Sequence, residues 1–299
     1  VIARHVVSQV ADGVSSDGLL MYNTGLLPLR SSATAIAFPD NKYLSLASLL
    51  KGRQSVEVMG ELATEWNHDR LSKGMGYGSY AAEVDTLYKG KGYAGRGDYD
   101  HYIFMHAAEV AGKMRRPYLL EVTTRSMHMP YDDYDPDFKL TDVEVADFSK
   151  TEANYLQTAH YFDRCLGEFI ESLKRSDLYD NSVIIIASDH TAPYLDSDVE
   201  GEVLFLAINT GINHEVESTV GQIDVFPTIL DIMGIESAWR GVGLSMFNRR
   251  VTSAVDRHGN LKGVEQVGPA QYQQRAWDVS ELMIRGDYFA KGDTPIEKK

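Results

Sequence analysis

At 299 residues, with 43% hydrophobic and 24% charged side chains, the chain has the make-up of a folded globular protein and the length to bury a sizeable core, which excludes a disordered segment. A formal net charge of −14 excludes a protein built to neutralise nucleic-acid phosphates. The single cysteine, Cys165, excludes an intrachain disulfide, and no apolar run approaches the roughly 18 residues needed to span a bilayer. The opening VIARHVVSQV lacks the layout of a signal peptide, and a start without methionine is expected of a mature or excised piece whose upstream anchor has been lost.

Residues 8–29, SQVADGVSSDGLLMYNTGLLPL, crowd glycine, serine and aspartate around Ser15 and Ser16 before an apolar group, the pattern of a turn feeding a helix. Both serines suit a helix cap; equally, one hydroxyl at a helix N-terminus suits an anion such as phosphate or sulfate. Residues 43–50 read as a short helix and 55–59 as a strand. Trp66, set among Glu65, Asn67, His68, Asp69 and Arg70, is either an edge packing residue or a ligand wall. Residues 89–100 form a glycine-rich stretch that lacks the Gly-Lys-Ser/Thr ending of a phosphate loop. A helix over 99–113 precedes a strand over 117–124, which ends at Arg125-Ser126-Met127-His128.

The spacing of Tyr155, Ala159, Phe162, Leu166, Phe169 and Leu173 predicts one long amphipathic helix over 152–174, with Cys165 a small buried hydrophobe. It leads into the unbroken apolar run Val183–Ala187, which suits a parallel strand covered on both faces. Asp189 and His190 stand at the carboxyl end of that run, where open α/β sheets place ligands, and both residue types bind divalent metals; a turn with a solvated imidazole gives the same dipeptide. A strand over 203–209, a helix over 224–233 marked by Pro227 and Gly234, a polar tail from 251 and a last helix over 276–283 complete the chain. The fold class expected is α/β, a mainly parallel sheet flanked by helices, divided into 1–200 and a remainder over 201–299 that includes a smaller C-terminal subdomain.

The order of short motifs is more specific than any one of them. Gly13-x-Ser15-Ser16-Asp17 is followed by Trp66-Asn67, Ser126-Met127-His128-Met129-Pro130, Tyr161-Phe162-Asp163, Ser188-Asp189-His190, Gln222-Ile223-Asp224 with Pro227-Thr228, and Gly241-Val242-Gly243. This resembles the sulfatase-like branch of the alkaline phosphatase superfamily, closest to the extracellular domain of lipoteichoic acid synthases and related phosphoglycerol transferases. The resemblance implies a metal-dependent phosphoryl or phosphoglycerol-type transferase or phosphodiester hydrolase located outside the cytoplasmic membrane. It further implies Ser15 as nucleophile and metal ligand, Asp189 and His190 as metal ligands, and His128 as the group serving the substrate phosphate or leaving group. Trp66, His68 and Arg125 fall to substrate binding, manganese or magnesium is the expected ion with zinc or calcium as alternatives, and a phospholipid headgroup or phosphorylated glycan is the expected partner. In that family an acidic ligand also follows a strand upstream of the nucleophile, and Asp12 is too close to Ser15 to replace it. Met59 and His68 stand where lipoteichoic acid synthases carry histidine and arginine, which argues against strict polyglycerol-phosphate specificity, and Val14 replaces a lysine beside the nucleophile. Ser15 is followed by Ser16-Asp17-Gly18-Leu19 rather than x-Pro-x-Arg, so the formylglycine chemistry of true sulfatases is not expected. An atypical sulfate-ester hydrolase and a catalytically degenerate headgroup- or glycan-binding domain are the alternatives.

Overall fold

The computed structural model describes residues 1–50, 52–60, 64–81, 99–132, 148–193, 195, 201–248, 252–264 and 269–291. The glycine-rich stretch over 89–98 lies outside them. Strand β1 (Ile2–Val7) is central to one sheet: β6 (Glu202–Ile208) pairs with it antiparallel, while β7 (Glu215–Val216) and β8 (Val220–Gly221) pair with it parallel. Ala3, Val6 and Val7 of β1 are buried while Arg4 and His5 face outward; the break in alternation coincides with a register shift between Ala3 and Val6, as a bulge requires. Strand β5 (Ile184–Ala187) closes the other side of β6. A second sheet is wholly parallel, in the order β3 (Ser79–Ala81), β2 (Gln54–Met59), β4 (Tyr118–Thr123). The α/β class is as expected.

The run Val183–Ala187 differs from its reading in two respects: β5 pairs with β6 antiparallel, and its residues are half-buried rather than covered on both faces. An apolar run reports burial potential, not strand direction. Among the described residues β4 pairs only with β2 and β5 only with β6, so each leaves one edge free.

Helix α1 (Ser15–Thr24) carries Leu20 and Met21 into a core completed by Leu26, Leu27, Leu29 and, from α8 (Pro269–Arg285), Trp277. Full burial of each such side chain stabilises by about 1.5–3 kcal/mol. Trp277 also donates its indole N–H to the Val255 carbonyl at 3.1 Å, so the last helix is bound into the same core as the first. Between them run α2 (Thr34–Ala37), α3 (Leu46–Leu49), α4 (His68–Met75), α5 (Asp100–Lys113), α6 (Lys150–Arg175) and α7 (Val225–Ile232). Helix α6 starts with a reciprocal Ser149–Glu152 capping box and buries Tyr161, Cys165 and Leu173. The polar tail hides a hairpin of β9 (Ser253–Val255) and β10 (Leu261–Gly263), whose three-residue strands are too short to show a period. No helix among the described residues is long and apolar enough to cross a membrane.

Candidate active site

Ser15 is the first residue of α1, and the two adjacent serines have different surroundings. Ser16 is buried and donates its hydroxyl to the Gly13 carbonyl at 2.8 Å. Ser15 is half-buried, and no hydrogen bond engages its hydroxyl among the described residues. Neither caps the helix: the N-cap is Val14, at φ 45° and ψ −110°, a conformation that a β-branched residue adopts only under constraint. Asp17 supplies that constraint by accepting the Ala11 and Gly13 N–H groups on Oδ2 at 3.0 and 2.9 Å. Burial pushes the Asp17 carboxyl up to about 6 against these hydrogen bonds, which pull it down. Asp12 turns elsewhere, pairing with Arg257 at 3.0 Å.

The loop after β5 is seated against α1. A Cβ built on Gly18, one turn past Ser15, would lie 2.5 Å from the Asp189 carbonyl oxygen and 2.9 Å from its Cα, so only glycine permits this approach. The Tyr22 hydroxyl donates to the Ser188 carbonyl at 2.5 Å, and the Gln222 amide donates to the Asp189 carbonyl at 2.6 Å and to the Tyr22 oxygen at 2.9 Å. On its other side Gln222 Oε1 accepts the Gln9 N–H at 2.6 Å. One buried amide thus ties the segment after β1, α1 and the Asp189 loop together. His190 Nδ1 lies 2.7 Å from the Thr191 carbonyl, which only accepts, so Nδ1 bears a proton and Nε2 is the nitrogen that can offer a lone pair. Nε2 stands 3.7 Å from Asp189 Oδ2, with the two side chains 19% and 36% exposed. A carboxylate oxygen and an imidazole lone pair side by side, each oriented by a backbone contact, make a donor set that fits a divalent cation. Among the described residues no group of three or more His, Cys, Asp or Glu converges in this way.

His128 repeats the device: its Nδ1 lies 2.7 Å from the Met129 carbonyl, which leaves Nε2 free, and the residue is exposed. Its loop is fixed at both ends. Buried Asp100, opening α5, accepts the N–H groups of Arg125 and Ser126 at 2.7 and 2.9 Å, and the Tyr131 hydroxyl donates to the Pro193 carbonyl at 2.8 Å. The second contact joins the His128 loop to the Asp189–His190 loop. Ser15, Asp189, His190 and His128 therefore stand on three segments that hold one another, with Arg125 half-buried beside them in sequence.

Trp66 and His68 reach this assembly less directly. Trp66 is 44% exposed at φ 49°, and the neighbouring Asn67 donates to the Ala35 carbonyl of α2 at 3.2 Å. His68 and Met59 are buried, 4% and 1% exposed.

A family model described as Sulfatase matches residues 6–235. The chain belongs to the sulfatase family. Among curated relatives, this sulfatase-family chain is 29% identical over 253 residues to a lipoteichoic acid synthase of Staphylococcus aureus, covering 77% of the chain but only 38% of that protein. Its fold matches the lipoteichoic acid synthase LtaP of Listeria monocytogenes with a TM-score of 0.78 at 17% identity, over 99% of this chain and 85% of LtaP. It also matches the phosphoglycerol transferase GacH of Streptococcus pyogenes, solved with sn-glycerol-1-phosphate, with a TM-score of 0.67 at 13% identity, over 98% and 79%.

Four supports of this sulfatase-family site have no individual role that sequence shows. Tyr22 and Gln222 are far apart in the chain, and only the fold shows that they share the Asp189 loop. Asp100 closes a glycine-rich stretch and looks like surface, yet it is 0% exposed. Asp224 accepts the Gly221 and Leu244 N–H groups at 2.9 and 2.8 Å, and burial pushes its carboxyl up to about 6. Its signal was its place in Gln222-Ile223-Asp224.

Proposed function

We propose that the chain is the catalytic part of a metal-dependent phosphoryl or phosphoglycerol-type transferase or phosphodiester hydrolase, with Ser15 as nucleophile. The observation that carries this reading is the unengaged Ser15 hydroxyl on a strained turn at a helix N-terminus, on the helix whose Gly18 seats the Asp189 loop. The N-terminal N–H groups and dipole of α1 favour the anionic phosphate beside Ser15.

Ser15 Oγ attacks phosphorus as the bond to the leaving alkoxide breaks, giving a phosphoseryl ester, and the hydroxyl proton passes to a water molecule at this half-buried position. His128, when both ring nitrogens carry protons, hands the Nε2 proton to the departing alkoxide and keeps the Nδ1 proton on the Met129 carbonyl. A water or an acceptor hydroxyl then attacks the phosphoseryl ester, giving its proton to His128 Nε2, and the bond from phosphorus to Ser15 breaks as the Ser15 oxygen takes a proton from water. Asp189 and His190, with Ser15, would hold a divalent cation, manganese or magnesium by preference with zinc or calcium as alternatives. When bound, the cation supplies Lewis-acid stabilisation of charge on phosphate oxygens. We assign headgroup contacts to exposed Trp66 and half-buried Arg125, with His68 following the Trp66 turn on α4. The substrate is a phospholipid headgroup or phosphorylated glycan, and the setting we infer from the lipoteichoic acid synthase likeness is extracytoplasmic.

The test is turnover by the full-length protein of a chromogenic phosphodiester beside the matching sulfate ester, with added manganese and after chelation, for wild type and Ser15→Ala. The reading expects phosphodiester cleavage that needs the metal and falls at least roughly a thousandfold in Ser15→Ala, a loss of about 4 kcal/mol of transition-state stabilisation. Cleavage of the sulfate ester alone, or a Ser15→Ala enzyme near full activity, overturns it.

A further inference from the structure

About two turns along α1 from Ser15, a second set of ionisable groups lies between α1, α4 and the parallel sheet, with Glu121 half-buried. Glu57 on β2 and Glu121 on β4 are direct partners in the register, so their side chains leave the same face of strands about 4.8 Å apart. Glu57 is 1% exposed. Glu121 Oε2 is fully engaged: it stands 2.5 Å from the Tyr77 hydroxyl and accepts the Asn23 amide of α1 at 2.8 Å. Asn23 in turn faces the Tyr77 hydroxyl at 2.9 Å and donates to its own helix at the Leu19 carbonyl at 3.1 Å. Ser72 of α4 hydrogen-bonds Glu57.

This leaves one oxygen on each acid. Glu57 Oε2 and Glu121 Oε1 are both out of reach of solvent and both lack a hydrogen-bond partner. Two buried acceptors on register partners, neither with a donor, are costly, and two negative charges on that pair cost more. One hydrogen atom removes both costs, because a protonated Glu57 becomes a donor to Glu121. We propose that Glu57 and Glu121 bind a single proton between them, and that this carboxyl–carboxylate pair fastens the helix carrying Ser15 to the sheet through Glu121 and Asn23. The proton site stands independently of the substrate assignment.

The groups facing the pair are few. Asn23 from α1 and Ser72 from α4 are neutral, and Tyr77 is the only other titratable group that meets it among the described residues. Burial, then the two glutamates, hold the Tyr77 hydroxyl well above its ordinary range, so it stays a donor. Burial first and Glu121 second push Glu57 up to about 8, and burial raises Glu121 as well. The folded chain therefore holds one proton more than the unfolded chain from the ordinary glutamate range up to about 8. The stability contributed by the pair is complete below that window, is lost as pH rises through it and is level above it.

Two measurements on the full-length protein test this. The first is the infrared carboxylic C=O band at pH 7, where Asp17 and Asp224, raised only to about 6, are largely ionised. The band is expected in wild type, absent in Glu57→Gln, and lost from wild type at pH 9.5. The second is denaturant unfolding between pH 5 and 9.5, in which the wild-type folding constant, taken relative to Glu57→Gln, should fall about tenfold per pH unit up to about 8 and then level. Where Glu57→Gln does not fold, the wild-type band at pH 7 and pH 9.5 decides alone. No protonated-carboxyl band at pH 7, or parallel pH curves for the two proteins, overturns the proposal. So does a rise in Tm with calcium or magnesium at pH 7 that needs both glutamates, because that result would put a cation where the proton is placed.

Discussion

Ser15 and Ser16 are adjacent and chemically identical, and only their surroundings separate them. The Ser16 hydroxyl closes the turn on Gly13, whereas that of Ser15 has no hydrogen bond among the described residues and stands at the head of α1. Ser16→Ala should therefore cost about 1 kcal/mol of stability, one buried hydrogen bond, and leave turnover within a few-fold. Ser15→Ala should leave Tm within a degree or two and abolish most turnover. Thermal unfolding and kcat measured on both variants check this; a Ser16→Ala enzyme that is as stable as wild type but inactive would reverse the assignment. The histidines follow the same logic of surroundings. Residues 128 and 190 each turn Nδ1 to the next residue's carbonyl, which directs Nε2 outward for the proton transfer proposed at one and the metal proposed at the other.

At the scale of elements, the site depends on how closely α1 lies on the loop after β5. Gly18 permits the approach, and Tyr22 and Gln222 hold it. Gly18→Ala puts a methyl group inside contact distance of backbone that has no flexible tip to move aside. It should destabilise by about 1–3 kcal/mol and weaken manganese binding at least about tenfold, because Asp189 is displaced from Ser15. Isothermal titration with manganese measures this; unchanged affinity in a folded Gly18→Ala protein would show that the metal, if bound, does not depend on that contact. The sequence placed these elements well where they are long: the helices over 150–175 and 100–113 and the strands β2 and β4 follow from period and punctuation. It misjudged β5 because an apolar run carries no information about the direction of its neighbour. It passed over β9 and β10 because three residues cannot establish alternation. Glu57 and Glu121 had no reading at all, since a lone acid in a strand looks like an outward-facing residue until the register sets two of them side by side.

For the whole molecule, the fold class was legible from the βα rhythm, and the family from the order of motifs spread from Gly13 to Gly243 rather than from any single one. The residues proposed for catalysis were picked out by the same order of motifs, while the groups that hold their loops, Gln222, Tyr22 and Asp100, act over separations that only folding brings together. A net charge of −14 gives the molecule no long-range attraction for the anionic headgroup proposed, so under that proposal recognition falls to groups at short range: the α1 N-terminus, Arg125, His128 and a cation that Asp189 and His190 would hold. All of these converge on one claim, a covalent phosphoryl transfer through Ser15. It is tested most directly by quenching the full-length protein during turnover of a phosphodiester with manganese and mapping the adduct by mass spectrometry. The account predicts a phosphoryl-headgroup mass on the peptide carrying Ser15, localised to that residue and absent from Ser15→Ala. An adduct on Ser16 or elsewhere, or an unmodified Ser15 peptide from protein caught in rapid turnover with accumulation enforced by a slow acceptor, would contradict it.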